Sequence, residues 1–135
     1  MKRKGFVFII LLALTLITSC GNSHQEIILL NKDDSYFMDF TVNENLVYIE
    51  CYLIVTNTGQ DELEYSISAD FTKDVRTGLL KESVLYACDE QTNKQIFILQ
   101  PGATEKFYCT FIGEYAGIYQ KHDRNLPEKI TFHIN

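Results

Sequence analysis

An all-β domain, an antiparallel β-sandwich of six or seven strands, is what this sequence predicts, and three observations carry the prediction. Apolar residues recur with period two through several short runs. Turn residues separate those runs, and no strand–helix–strand alternation suggests a parallel sheet. The 135 residues are 46% hydrophobic and 22% charged with only two prolines, which excludes both a disordered acidic tail and a Gly/Pro-rich fibre.

The chain opens with a segment that does not belong to that domain. Met1 to Gly5 is short and basic, Phe6 to Ile17 is uninterrupted apolar sequence, and Thr18-Ser19-Cys20 closes it with small residues, the layout of a secretory signal. At 1.5 Å per residue the apolar run spans about 18 Å, well short of the roughly 30 Å hydrocarbon core, so cleavage is expected rather than a permanent span. Removing residues 1–19 takes three of the 12 basic residues and none of the 18 acidic ones. The remainder carries nine basic residues against 18 acidic, which argues against nucleic acid as a partner. Residues 20–25 form a polar tether, its Gly21–Gln25 part reaching at most about 17 Å. The folded domain is expected over residues 26–135, enough for one core.

Within it, Glu26 to Leu30 and Tyr36 to Val42 are short strand candidates. Leu46 to Asn57 is the best strand, with Val47, Ile49, Cys51, Leu53 and Val55 all apolar at odd positions. Asn57-Thr58-Gly59 then supplies a turn with a residue suited to positive φ. Leu63, Tyr65, Ile67, Ala69 and Phe71 alternate with polar neighbours, so these two strands are expected to form a hairpin. Asp74 to Glu90 is ambiguous, because Leu80, Val84, Ala87 and Cys88 also fit a helical stripe after Gly78; a short helix or crossover and a strand both remain open. Gln95 to Leu99 leads into Gln100-Pro101-Gly102-Ala103, which fits a type II turn, and then into Thr104 to Ile112. Gly113 to Glu128 reads as a long loop, and Ile130, Phe132 and Ile134 close the chain as a final strand.

Two resemblances sit on these residues. Ile17-Thr18-Ser19-Cys20 resembles the bacterial lipobox, in which the cysteine sulfur receives a diacylglycerol and a lipoprotein signal peptidase cuts before it. That resemblance implies lipid attachment at Cys20 and an exported, membrane-anchored, extracytoplasmic protein; two or more acyl chains make such anchoring stable. Asn57-Thr58-Gly59, then Leu99-Gln100-Pro101-Gly102 and Phe107-Tyr108-Cys109-Thr110-Phe111, resemble the immunoglobulin-like modules of small bacterial surface lipoproteins. This second resemblance implies a β-sandwich and brings no catalytic residues. Antibody-type domains fit less well, since there is no tryptophan and Phe107 stands where a tyrosine corner would place Tyr.

With Cys20 spent on lipid, Cys51, Cys88 and Cys109 remain, so one intramolecular bridge is the maximum. Cys51 and Cys109 lie on the apolar faces of their strands, and a cross-sheet bridge between them would stabilise by roughly 4 kcal/mol through loop closure. Pairing with Cys88 is equally permitted by counting, and the favoured alternative is three small buried hydrophobes. No CxxC, HxxxH or HExxH is present, so no metal or cofactor is expected. The acidic and amide groups Asp33, Asp34, Asp39, Asn43, Glu44 and Asn45 lack the spacing of a calcium loop and read as solvated turns.

His24, His122 and His133 are scattered, and GxSxG, SxxK, a Walker loop and GxGxxG are absent, so a noncatalytic protein is expected. Tyr48, Tyr52 and Ile54 share the more polar face of the best strand, and Tyr108 and Ile112 share the matching face of another. Flanked by Glu50 and Lys106, such a stripe suits an envelope protein or glycan as partner. The competing reading, which the sequence favours, covers that face with the amino-terminal strands or the crossover. The expected function is a membrane-anchored binding module; an inhibitor or immunity-type lipoprotein and, behind it, a hydrolase are the alternatives.

Overall fold

The computed structural model describes residues 26–119 and 124–135. The signal segment, Cys20 and the tether lie outside the described residues. Eight strands and one short helix follow in order: β1 (Ile28–Leu30), β2 (Tyr36–Asn43), β3 (Leu46–Asn57), β4 (Leu63–Asp70), α1 (Thr72–Arg76), β5 (Val84–Asp89), β6 (Phe97–Leu99), β7 (Thr104–Glu114) and β8 (Ile130–Ile134). Every pairing is antiparallel. The architecture is the all-β antiparallel sandwich that the alternation predicts, with eight strands rather than six or seven.

One sheet is built on β3, which takes β1 and β2 along one edge and β7 along the other. The second is built on β4, which pairs with β8, β5 and β6. Strand β5 joins the two layers: Val84, Leu85 and Tyr86 pair with β4, whereas Ala87, Cys88 and Asp89 pair with β7. The sheet therefore closes almost on itself, which removes one exposed edge from each layer.

Between the layers lies one core. Val47, Cys51, Leu53 and Val55 from β3, Cys109 and Phe111 from β7, Tyr65 and Ile67 from β4, Ala87 from β5 and Leu99 from β6 are fully buried. These are the inward phases that period-two alternation selects, and each large apolar side chain so buried contributes about 1.5–3 kcal/mol. Phe71 meets Phe111 edge-on at 5.3 Å between ring centroids, tying the chain that follows β4 to β7.

The expected β3–β4 hairpin is corrected. β3 and β4 have no partner residues in common and belong to different layers, so Asn57 to Glu62 is a corner between sheets. Asn57 is fully buried there: its amide donates to the Asp61 carbonyl at 2.8 Å and the Leu99 carbonyl at 3.2 Å, and its Oδ1 accepts from Gly59 N–H at 2.9 Å. Gly59 does not use positive φ; a Cβ there would stand 3.0 Å from Ile27 Cγ2, so close approach is what the glycine serves. The tight hairpin is instead β2–β3, turned by Glu44 and Asn45 with Glu44 at φ 55°. Gln100 to Ala103 is a second corner, and its Gly102 at φ 68° with Ala103 N–H donating to Gln100 O fits type II.

The ambiguous stretch resolves into both of its readings. The helix lies before Gly78, not after it, and ends in a Schellman cap: Gly78 at φ 83°, Leu79 N–H on Asp74 O and Gly78 N–H on Val75 O. Val84, Leu85, Ala87 and Cys88 are strand, because Leu85 and Ala87 alternate into the core while Val84 and Tyr86 point to solvent. Gly113 also departs from expectation, since it lies inside β7 rather than in a loop. A Cβ at Gly113 would meet Leu80 Cδ2 at 2.8 Å and Leu85 Cδ1 at 2.9 Å, so the strand is kept bare where two leucines cross it.

Candidate functional site

The residues singled out from sequence fall on the outer face of the β2–β3–β7 sheet, where register decides which of them meet. Tyr52 pairs with Tyr108 on one side and with Tyr36 on the other. The backbone of Asn57 donates to Ala103, and counting back along the ladder makes Tyr52–Tyr108 a non-hydrogen-bonded pair, the kind whose side chains stand closest. Their ring centroids are 5.0 Å apart, and those of Tyr36 and Tyr52 are 5.1 Å apart. Three tyrosines from three strands thus form a continuous ladder across the sheet. Tyr36 is 49% exposed and Tyr108 45% exposed, with Tyr52 half-buried between them.

The amino-terminal strands flank β3 and leave Tyr36 and Tyr108 exposed while Ile54 is buried on the same face, so that face is covered only in part. Tyr48 is half-buried two registers further along, opposite Ile112 and Thr41, with Asp39 and Glu50 paired between it and the ladder. Ile54 leaves the stripe altogether, being buried on the outer phase. Tyr36 was missed as a site residue. Its own run is short and weak in sequence, and only the β2–β3 register, with its irregularity between Phe37 and Asp39, sets it against Tyr52.

Cys51 and Cys109 are register partners within one sheet, not across two. Both thiols are free and fully buried, and Cys88 is free and half-buried opposite Thr110. Desolvation pushes the Cys51 thiol up to about 12, and burial followed by the neighbouring Cys51 raises Cys109 further. Neither is poised as a nucleophile.

Ser68 Oγ and His133 Nε2 stand 2.7 Å apart, a pair that sequence reasoning did not bring together. They lie on the outward phase of β4 and β8, with the Tyr86 ring 5.7 Å from the imidazole. Ser68 is buried, and among the described residues no carboxylate hydrogen-bonds to His133.

Concave surface lies elsewhere. A cleft of about 660 Å³ runs between α1 and the segment before β8, lined by Phe71, Asp74, Arg124 and Leu126 among others. Arg124 Nη1 bonds Asp74 Oδ1 at 2.5 Å, and its guanidinium lies 4.5 Å from the centre of the Phe40 ring. With both partners mostly buried, this ion pair fastens that segment to α1 and β2. A further cavity of about 450 Å³ opens near the starts of β4 and β7, with Phe97 and Phe107 among its lining residues.

Among the described residues no group of His, Cys, Asp and Glu is arranged to hold a metal ion. Compared with known proteins, the chain matches no family model, no curated protein and no solved structure.

Proposed function

We propose that this chain is a noncatalytic binding module, exported and held to a bacterial membrane through lipid on Cys20, with an immunoglobulin-like sandwich that contacts an envelope protein or glycan. The observation that supports the binding surface is the Tyr36–Tyr52–Tyr108 ladder, whose outer rings are half-exposed. Tyrosine offers large amphipathic contact area with little rotamer entropy to lose, which is why such residues anchor interfaces. Glu50 and Lys106 beside the ladder supply hydrogen-bonding groups at its rim. The anchoring reading rests on the lipobox-like Ile17-Thr18-Ser19-Cys20.

Crosslinking in intact envelopes followed by capture tests the surface. Wild-type protein is expected to recover a partner that a Tyr36→Ser/Tyr108→Ser double variant loses. Recovery of lipids alone, or an unchanged partner with the variant, would overturn the reading. Labelling with a fatty-acid analogue tests the anchor: wild type takes up label, Cys20→Ala does not, and an unlabelled wild type removes the lipid from the proposal.

A further inference from the structure

On the inward phase of β3, Val47, Ile49, Leu53 and Val55 surround Cys51, and on that of β7, Phe107 and Phe111 flank Cys109. Each row is branched or aromatic around one small side chain, and the register sets those two exceptions directly opposite each other. Packing alone gives no reason for both to fall on one rung. Asn57 N–H donates to Ala103 O, so stepping by twos along the ladder makes Cys51–Cys109 a hydrogen-bonded pair, with Cα atoms about 5.5 Å apart. Disulfides span roughly 4.4–6.8 Å between Cα atoms, and both side chains leave the sheet on its inward face.

The same register sets the third thiol aside. Cys88 pairs with Thr110, one rung from Cys109 and on the alternate phase, so its side chain leaves the opposite face of the sheet. The fold also governs access to the pair. Cys51 and Cys109 are fully buried, and burial holds both as thiols, whereas the thiolate is the species that attacks a disulfide. Exchange chemistry at these two sulfurs therefore belongs to the chain before it has folded, or to a chain that opens.

We propose that Cys51 and Cys109 are a redox pair that closes into a cross-strand disulfide when the chain folds beside a small-molecule disulfide, and that burial then seals whichever state was formed. The free thiols of the structure are the open state. One cysteine thiolate attacks glutathione disulfide and releases a first glutathione; the other attacks the protein sulfur of the mixed disulfide and releases the second. One S–S bond forms as one breaks, two electrons pass from the protein to glutathione disulfide, and the two thiol protons end on the two glutathiones. The closed loop contains β4, α1, β5 and β6, so it ties most of the second layer to the middle of the first. Export would supply the oxidising setting, but the chemistry rests on the register, so failure of one leaves the other standing.

A full-length Cys20→Ala/Cys88→Ser chain, in which only the pair remains, tests the proposal. Unfolded in urea and refolded in non-ionic detergent with a glutathione and glutathione disulfide mixture, it is expected to lose about 2 Da and to take up no iodoacetamide in denaturant. Its unfolding equilibrium constant should be about a hundredfold smaller than that of the same chain refolded with reductant. The folded, reduced chain given the same mixture should stay open until urea is added. In the Cys20→Ala chain, peptide mapping should find Cys51 linked to Cys109 with Cys88 outside the bridge. Free or glutathione-capped thiols after refolding, a linkage through Cys88, no gain in stability, or closure as fast in the folded chain as in the unfolded one would overturn it.

Discussion

Cys51 and Cys109 stand directly opposite one another on β3 and β7, both fully buried and both free thiols. A hydrogen-bonded antiparallel pair places its Cα atoms about 5.5 Å apart, inside the range a disulfide spans, so the two are in bridging register although unbridged. Their burial is what governs their chemistry. Among Cys51, Cys88 and Cys109, iodoacetamide should modify Cys88 first in the native protein and reach the other two only through unfolding. In denaturant without reductant all three should label, as counted by mass; labelling of Cys88 alone would mean that the pair is bridged.

The same thiols make the fold sensitive to alkali. An unfolded cysteine ionises near 8.5, whereas folded Cys51 holds its proton to about 12. Stability is therefore complete below about pH 8.5 and falls as pH rises toward 12, because only the unfolded chain releases the proton in that window. The unfolding free energy from urea titrations between pH 7 and 10.5 should decline by about 1.4 kcal/mol per pH unit above 9 for each such thiol, and Cys51→Ala should flatten the slope.

Gly113→Ala should destabilise by about 1–3 kcal/mol, since its Cβ would enter space held by Leu80 and Leu85. Urea unfolding reads the change. Leu85→Ala in the same chain should recover part of the loss relative to the sum of the two single variants, which a double-mutant cycle measures.

Asn57→Ala should cost about 2–3 kcal/mol, because it strips hydrogen bonds from the Asp61 and Leu99 carbonyls and from Gly59 N–H at a fully buried corner. Thermal denaturation checks it. Asp at this position should be little better, having no amide to donate to the two carbonyls.

Tyr65→Phe should leave the fold as stable as wild type or raise its stability by about 1 kcal/mol, since it removes a buried hydroxyl without a partner. A loss of 2 kcal/mol or more, by the same urea measurement, would mean that the hydroxyl is satisfied in solution.

Ser68 should not react with a fluorophosphonate despite its contact with His133. Activation of a serine takes a base that is itself oriented by a third group, and none of the described carboxylates hydrogen-bonds to this imidazole. Intact-mass analysis after treatment reads the outcome, and covalent capture at Ser68 would overturn the noncatalytic proposal.

Sequence alone determined which side of each strand faces inward. Val47 to Val55 in β3, Tyr65 to Ala69 in β4 and Cys109 with Phe111 in β7 are buried as their alternation requires, because side-chain phase is a property of a few consecutive residues. Tertiary structure decided who pairs with whom. Asn57-Thr58-Gly59 carries hairpin-like turn chemistry yet makes a corner, because a turn reverses the chain without specifying whether the next strand hydrogen-bonds to the last or crosses to the other layer. Gly113 was legible as a glycine but not as the gap beneath Leu80 and Leu85, which reach it from more than 25 residues away. The ladder follows the same rule: Tyr52 and Tyr108 share an expected face, but Tyr36 joins them only through the β2–β3 register. The cavity near the starts of β4 and β7 was not legible at all, since Asp89, Phe97 and Glu105 come from three strands and meet only once the sandwich has closed.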